Sequence, residues 1–235
     1  MSSIHSDRRR SSRQPGTSGG QQWLGDESRK AAINQPVGAD STVLTGLVVW
    51  LVLVTIGVAG RHFQPAWNVT PLAAIGLTAA AVFGRLSGWV GPLVTLGVPA
   101  AALAVSNMIL PQSERSYGGF IMATVVFAAT LWAAILGLVL PSIRSGKPIA
   151  WIGAALSHSI VFFLSTNSAY WWLFDDYPHS LSGFGTCFLM ALPFFRWMPV
   201  GDVIWSLGLL AITSAIMGWR ASSPLTTSPL RSLRP

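Results

Sequence analysis

The sequence predicts an all-α membrane protein, a bundle of about six transmembrane helices with both termini in the cytoplasm. Three observations lead to this fold class. Of the 235 residues, 51% are hydrophobic and only 10% are charged, whereas a soluble domain carries about 25% charged residues. The apolar residues fall in runs of about 20, the length that a helix needs to cross a bilayer. The cationic residues lie mainly in the tails and in alternate loops, as the positive-inside rule requires.

Six apolar segments follow a polar N-terminus, and most have the length of a span. The exception is Pro71–Gly84, which reaches only about 21 Å as a helix. It spans if the helix begins near Asn68 and continues to Leu86, and otherwise it forms half of a re-entrant hairpin. Phe184–Phe195 is also apolar, but it is short and Pro193 interrupts it, so we do not count it as a span. The six predicted spans are Val43–Gly60, Pro71–Gly84, Leu86–Leu110, Phe120–Leu140, Ala150–Phe174 and Val200–Trp219.

The distribution of Lys and Arg favours six spans over the alternative counts. With six spans, twelve of the fifteen cationic residues lie on the cytoplasmic side, and only Arg61, Arg115 and Arg196 lie outside. Without Pro71–Gly84 as a span the split becomes eight and seven, and with Phe184–Phe195 as a seventh span it becomes ten and five. This placement also explains the net charge of +7 without nucleic acid as a partner.

The chain divides by composition into three regions. Residues 1–40 are rich in Ser, Gly, Gln and Arg and nearly free of large apolar side chains, so we expect a disordered cytoplasmic tail. Residues 41–220 form the transmembrane domain, and residues 221–235 form a second, short cytoplasmic tail. The single cysteine, Cys187, excludes an intrachain disulfide and a cysteine-rich metal site. We expect no cleaved secretory signal, because no apolar run with basic flanks lies near residue 1.

Polar and aromatic side chains gather where the fifth segment meets the outer water phase. Tyr170 and Trp171 follow Asn167 by three and four residues, so the three share one helix face. An aromatic face beside an amide suits a flat, polar molecule. Asp176 and His179 lie in the loop that follows. Two other interpretations stay open, in which Asn167 bridges two helices and the aromatic residues form an interfacial belt.

Two further amides, Asn68 and Asn107, fall on the same outer side in the six-span topology. Asn68 or Thr70 is equally well explained as the N-cap of the second segment, with Pro71 in its first turn. If the amides converge with the aromatic face, they form one ligand site. The residues predicted to bind the ligand are Asn167, Tyr170, Trp171, Asp176 and His179, with Asn68 and Asn107 behind them.

The remaining polar residues of the spans have structural explanations. We expect His158, inside the fifth segment, to hydrogen-bond to a neighbouring helix. Asp202 begins the sixth segment near the outer face, where the helix dipole stabilises a carboxylate and Arg196 is a candidate partner. The paired Asp175 and Asp176 fit a solvated turn. No spacing is specific for a metal, a cofactor or a catalytic group, so we expect none of these.

Several strings of the sequence resemble an uncharacterised family of small bacterial integral membrane proteins. The resemblance covers roughly Asn68 to Trp219, and its pattern is TN…YP…ALPFFR…GD. It implies a multi-pass protein of the bacterial cytoplasmic (inner) membrane, in a family without an assigned function. The strings are Asn68-Val69-Thr70-Pro71, Thr166-Asn167, Tyr177-Pro178, Ala191-Leu192-Pro193-Phe194-Phe195-Arg196 and Gly201-Asp202.

A looser resemblance, at the level of the fold, is to the S-components of energy-coupling-factor transporters. These six-helix proteins of similar size capture vitamins or metal ions from the outer side, so the resemblance implies an energising module as a partner. Many S-components dock that module through an Ala-x-x-x-Ala pattern on the first helix. Val43–Gly60 lacks this pattern, although Ala129 and Ala133 show it elsewhere.

The sequence therefore leads us to expect a binding subunit for the uptake of a small vitamin-like or metal-like molecule, with the lipid bilayer as its surroundings. The alternative is a structural or assembly protein without a ligand, in which the polar cluster only ties helices together. An enzyme ranks last, because no catalytic constellation is recognisable.

Overall fold

The computed structural model is all-helical and confirms the predicted fold class. It describes residues 39–66, 68–110 and 119–222, so most of the two predicted tails lies outside the described residues. Five helices are long and apolar enough to cross a membrane, and two shorter helices are also apolar. The protein is therefore a helical membrane bundle. The helices described are α1 Ala39–His62, α2 Leu72–Phe83, α3 Val90–Ile109, α4 Phe120–Val139, α5 Pro141–Arg144, α6 Pro148–Leu173, α7 Leu181–Phe195 and α8 Met198–Ser222.

The chain divides into two compact units at Thr45. Of the first unit, Met1–Thr45, the structure describes only residues 39–45, the beginning of α1, where Thr45 Oγ1 donates to the Ser41 carbonyl at 2.7 Å. The second unit, Gly46–Pro235, contains the helix bundle.

Helix α2 is the most enclosed helix of the bundle. Ten of its twelve residues are buried, and it packs against α3, α4 and α8. Glycines allow the close approach, because a β-carbon on Gly137 of α4 would lie 2.4 Å from Ala80 Cβ. A helix of this length rises only about 18 Å. Its neighbours enclose it on several sides, which is how a membrane protein accommodates a short helix in the bundle interior.

Helices α7 and α8 follow one another along α6, in the direction opposite to it. Contacts pair residues that fall in number on α6 with residues that rise on α7 and α8, so α7 and α8 together lie antiparallel to α6. Helix α8 therefore begins beside the middle of α6 and not beside its end. The contacts join Trp171 to Phe184 (ring centroids 5.2 Å apart), Phe163 to Phe195 (4.4 Å), and His158 Nδ1 to Asp202 Oδ2 (3.0 Å).

Phe184–Phe195, which we did not count as a span from the sequence, is not among the five helices of span length. The segment belongs to a packed helix, α7, and Pro193 lies inside that helix without ending it. Ser180 is the N-cap of α7, because its Oγ accepts from the Gly183 N–H at 3.2 Å, and this bond fixes the turn at which the helix begins. A β-carbon on Gly183 would lie 2.0 Å from the Pro178 carbonyl oxygen, so only glycine fits this turn.

The expectation that Asp202 lies near the outer face and pairs with Arg196 is wrong. Asp202 contacts His158, which precedes the end of α6 by 15 residues, or about 22 Å along the helix axis. The physical reason is α7, which carries the chain along α6 before α8 begins. Arg196 is exposed, and its guanidinium carbon lies 5.5 Å from the ring centroid of Trp197.

Candidate functional site

A cavity of about 240 Å³ lies where α7 ends and α8 begins. Helix α6 forms one wall, the end of α7 and the first residue of α8 form another, and Asn68 closes it from the segment before α2. Three polar side chains and four phenyl rings face it, and none of its lining residues is charged. The residues that line this cavity are Asn68, Phe162, Phe163, Thr166, Asn167, Ala191, Phe194, Phe195 and Met198.

Asn68 has an unusual backbone conformation beside this cavity. Its φ of +61° is the only positive φ of a non-glycine residue in the described ranges. Asn tolerates the left-handed region better than most residues, and such backbone is concentrated at binding sites. Helix α2 begins at Leu72 with Pro71 in the N-cap position and no side-chain cap. The prediction that Asn68 or Thr70 caps this helix is therefore wrong.

Asn167 lies on the wall formed by α6. Its Nδ2 donates to the Phe163 carbonyl of the same helix at 2.7 Å. That bond uses one of its two amide hydrogens and leaves Oδ1 and the other hydrogen for a ligand. Asn68 Nδ2 lies 3.5 Å from the Phe194 carbonyl, at the long limit of a hydrogen bond. Two of the seven predicted site residues, Asn68 and Asn167, thus meet at one cavity.

Four other predicted residues form a separate group at the end of α6, here called the outer cluster: Tyr170, Trp171, Asp176 and His179. The Tyr170 hydroxyl donates to Asp176 Oδ2, and Trp171 Nε1 donates to the Pro178 carbonyl at 3.0 Å. The Trp171 and His179 ring centroids are 5.4 Å apart. The Tyr170–Asp176 bond and the bond from Trp171 to the backbone both lie within the turn between α6 and α7 and help to fix it. The outer cluster begins one helical turn after Asn167.

Asn107 is placed apart from both groups. Its Oδ1 accepts a hydrogen bond from Arg61 Nη1 at 2.7 Å, and the same nitrogen donates to Ser106 Oγ. These bonds join the ends of α1 and α3. A second cavity of about 240 Å³ lies beside them, but its surface is almost entirely carbon and offers little to orient a polar ligand. The sequence did not predict Arg61 as a partner, because the residues that it contacts are more than 40 positions away.

A polar group in the interior was also not predicted as a unit. We name it the buried acid cluster: His158, Ser159, Asp202 and Ser206. Asp202 Oδ2 accepts from Ser159 Oγ at 2.6 Å and lies 3.0 Å from His158 Nδ1. The expectation that His158 bonds to a neighbouring helix is confirmed. The cluster lies one turn from the cavity on both helices, because His158 and Asp202 are each four residues from a lining residue, Phe162 and Met198.

Metal binding by this region receives no geometric support. Among the described residues, no three His, Cys, Asp or Glu side chains are grouped so as to hold a metal ion. The cavity offers only amide, hydroxyl, thioether and phenyl groups. These groups are suited to an uncharged organic molecule, since divalent metals prefer imidazole, thiolate or carboxylate ligands.

Comparison with other proteins gives a family and nothing more specific. No curated protein and no solved structure matches the chain. A family model, described as a family of unknown function (DUF6580), matches residues 41–224. This range extends the sequence resemblance, which began at Asn68, to include α1. Because the match covers most of the chain, the protein belongs to this family of unknown function, DUF6580.

Proposed function

We propose that the protein is a membrane-embedded binding subunit for the uptake of a small, uncharged, ring-containing molecule. The molecule would bind in the cavity between α6, α7 and α8. The observation that carries the proposal is the meeting of two amides, Asn68 and Asn167, among phenyl rings at the break between two helices. Sites of this kind combine an apolar wall with a few polar groups that fix orientation.

The position of the cavity at a helix break supports a transport role. In many transporters, substrates bind where a membrane helix is interrupted, because the interrupted backbone and the helix ends supply polar groups inside the bilayer. The starts of α2 and α8 both lie close to this cavity. A β-carbon on Gly201 would lie 2.8 Å from Val69 Cγ1, so the first turn of α8 is in direct contact with the segment that precedes α2.

The lining narrows the class of ligand. A volume of about 240 Å³ is below the roughly 300–1,000 Å³ of typical ligand pockets, so the molecule must be small. The absence of charge from the lining disfavours an ion, including the metal ion that the sequence left open. Amides both donate and accept hydrogen bonds, and phenyl rings stack on flat surfaces. A nucleobase-like or pyridine-like ring with an amide edge fits these groups.

The proposed uptake role does not depend on an energising module of the S-component type. Ala129 and Ala133, which show its docking pattern on α4, are 4% and 0% exposed. They face the interior of the bundle and cannot form a docking surface without repacking it.

A thermal-shift screen of the full-length protein in detergent tests the proposal. We expect one class of uncharged heterocycles to raise the melting temperature by several degrees, because a ligand that binds only the folded state stabilises it. Asn167→Ala and Asn68→Gly should each weaken binding by about tenfold, the worth of one hydrogen bond. Glycine is the right replacement at Asn68, since it keeps the left-handed backbone and removes only the amide.

Asn107→Ala is the matched control for these variants. This variant also removes the amide of a partly buried Asn side chain, but that amide bonds to Arg61 and does not line the cavity. Its affinity for the ligand should equal that of the unmodified chain. An equal loss of affinity in all three variants, or no thermal shift with any compound, would count against a site in this cavity.

The outer cluster favours the second candidate, a structural or assembly protein, because the Tyr170 hydroxyl and the Trp171 N–H already have partners within the turn. In that case Tyr170→Phe, which removes the bond to Asp176, should lower the free energy of unfolding by about 0.5–1.5 kcal/mol and leave any ligand affinity unchanged. Unfolding followed by tryptophan fluorescence measures the first quantity. A weaker ligand affinity in Tyr170→Phe would show instead that the outer cluster contributes to binding.

A further inference from the structure

The buried acid cluster has more unused hydrogen-bonding capacity than helix packing requires. His158, Asp202 and Ser206 are 2%, 1% and 0% exposed. His158 Nε2, Asp202 Oδ1 and Ser206 Oγ have no hydrogen-bond partner. More than 90% of buried backbone groups and most buried side-chain polar atoms are paired in folded proteins, because an unpaired one loses its hydrogen bonds to water without replacement. Three such atoms therefore lie together on two contacting helices, with hydrogen-bonding capacity that the protein's own groups do not use.

The charge of the pair is also uncompensated in one of its states. When His158 is neutral and donates through Nδ1 to the Asp202 carboxylate, the pair carries a charge of −1. Among the residues that the structure describes, no Lys or Arg forms an ion pair with Asp202. A lone carboxylate in the interior of a membrane protein is unfavourable, because it has lost its hydration without gaining a counter-charge. One additional proton makes the pair neutral overall.

No other titratable group of the surrounding helices supplies a compensating charge. Helices α2 and α4, which pack against α8 and α6, have no titratable side chain. Helix α7 has only Cys187, and α6 has only Tyr170 besides His158. Arg144 of α5 precedes the start of α6, and its Nη1 donates to the Leu138 carbonyl. Among the described side chains of α8, Asp202 is the only titratable one.

We propose that the His158–Asp202 pair is a proton-binding site. A hydronium ion transfers a proton to Asp202 Oδ1 or to His158 Nε2, and the net charge of the pair changes from −1 to 0. One O–H or N–H bond forms on the pair, one O–H bond of the hydronium ion breaks, and a water molecule leaves. These two atoms are the ones that have no partner, so the added proton displaces no existing hydrogen bond. Ser206 follows Asp202 by one helical turn and presents its hydroxyl on the same face of α8.

The location connects this site with the cavity. The ring centroids of His158 and Phe162 are 6.0 Å apart, and Phe162 lines the cavity. A change of charge on the pair thus occurs one helical turn from the cavity lining, in a buried region where the low dielectric strengthens electrostatic effects. The proton site exists whether or not the cavity binds a ligand, so failure of the ligand screen does not affect it.

The protonation state of both partners can be observed directly in the full-length protein in lipid nanodiscs. Magnetic resonance of isotope-labelled histidine reports which imidazole nitrogens carry hydrogen, and His158→Gln identifies the His158 signals among those of the four histidines. The infrared band of a protonated carboxyl group reports on Asp202, and Asp202→Asn identifies that band. Across a series of pH values, we expect one of the two signals to change reversibly, corresponding to uptake of one proton.

Two results would overturn the proposal. In the first, His158 keeps a single N–H and no protonated carboxyl band appears across the pH range. In the second, the band is present and constant throughout, which means that the proton does not exchange. Ser159→Ala serves if Asp202→Asn does not fold, because it keeps both titratable groups and removes one donor to Oδ2. It should move the midpoint of the transition, and an unchanged midpoint would show that the exchanging proton is not on Asp202.

Discussion

Replacing Gly137 with alanine is expected to lower the free energy of unfolding by about 1–3 kcal/mol, the usual cost of overpacking a core. The new β-carbon would lie 2.4 Å from Ala80 Cβ, well inside van der Waals contact. Ala80 cannot move away, because α2 is enclosed by α3, α4 and α8 and most of its residues are buried. Either α4 must shift away from α2, or the backbone around residue 137 must distort to relieve the clash with Ala80 Cβ. The melting temperature of the detergent-purified protein measures the loss.

Gly153→Ala is the matched control. It makes the same chemical change inside a membrane helix, α6, but a β-carbon at Gly153 meets no atom within 4 Å. Alanine in a helix is more favourable than glycine by about 0.5–1 kcal/mol, so this variant should be unchanged or slightly more stable. Equal destabilisation by both substitutions would mean that the close contact between α2 and α4 is not what limits stability.

A second substitution identifies the contact itself. Ala80→Gly removes the methyl group that Gly137→Ala would meet, so the double variant should recover part of the lost stability. A positive coupling in this double-mutant cycle assigns the effect to the two facing positions. If the effects of Gly137→Ala and Ala80→Gly simply add, the destabilisation has another source.

The long helices were predictable because lipid imposes a simple rule on the sequence. A segment that must hide its backbone from hydrocarbon is helical, apolar and about 20 residues long. Five of the six predicted segments meet that rule, and each corresponds to a long helix of the structure with ends within a few residues. The sixth, Pro71–Gly84, does not meet it. Its helix is short because it lies among other helices, and the sequence of one segment contains no record of its neighbours.

The break between α7 and α8 was not predictable in the same way. The sequence of α7 is apolar and contains Pro193, which is compatible with a loop at the interface, a kinked span or a short inner helix. Only its contacts with α6 decide among these, since Phe163 packs on both Phe188 and Phe195. Once α7 lies beside α6, Asp202 is necessarily carried to the middle of α6, although the string Pro199-Val200-Gly201-Asp202 looks like the start of an interfacial helix.

The candidate site was predicted in part. Local spacing on one helix correctly placed Asn167, Tyr170 and Trp171 within about one turn of each other, because helical geometry follows from sequence alone. Long-range pairing did not follow from it. Asn68 reaches the cavity from 99 positions away by virtue of its left-handed backbone, while Asn107 is held elsewhere by Arg61. The frequent occurrence of Asn in left-handed backbone was the one available signal for Asn68.

Asp202→Ala is expected to lower the free energy of unfolding by about 2–3 kcal/mol. The His158 Nδ1–H would lose its acceptor in a position that is 2% exposed, and an unsatisfied buried donor costs about 1–3 kcal/mol. The loss at Ser159 is smaller, because its one hydroxyl hydrogen can turn to the Ala155 carbonyl, which lies 3.2 Å from Oγ. The stability of Asp202→Asn should fall between that of the unmodified protein and that of Asp202→Ala, since the amide oxygen of Asn still accepts one hydrogen bond. Thermal unfolding at neutral pH measures both variants.

Ser206→Ala separates this effect from a general loss of polar packing. Ser206 is as buried as Asp202, but its hydroxyl has no partner, so its removal costs no hydrogen bond and should leave stability unchanged or slightly higher. The sign of the stability change in Asp202→Ala distinguishes two energetic states of the buried acid cluster. A loss of stability means that the bonds from His158 and Ser159 outweigh the cost of burying the carboxyl group. A gain would mean that the folded protein holds an uncompensated charge at this position and tolerates it at the expense of stability, as intramembrane ionisable residues at functional sites do.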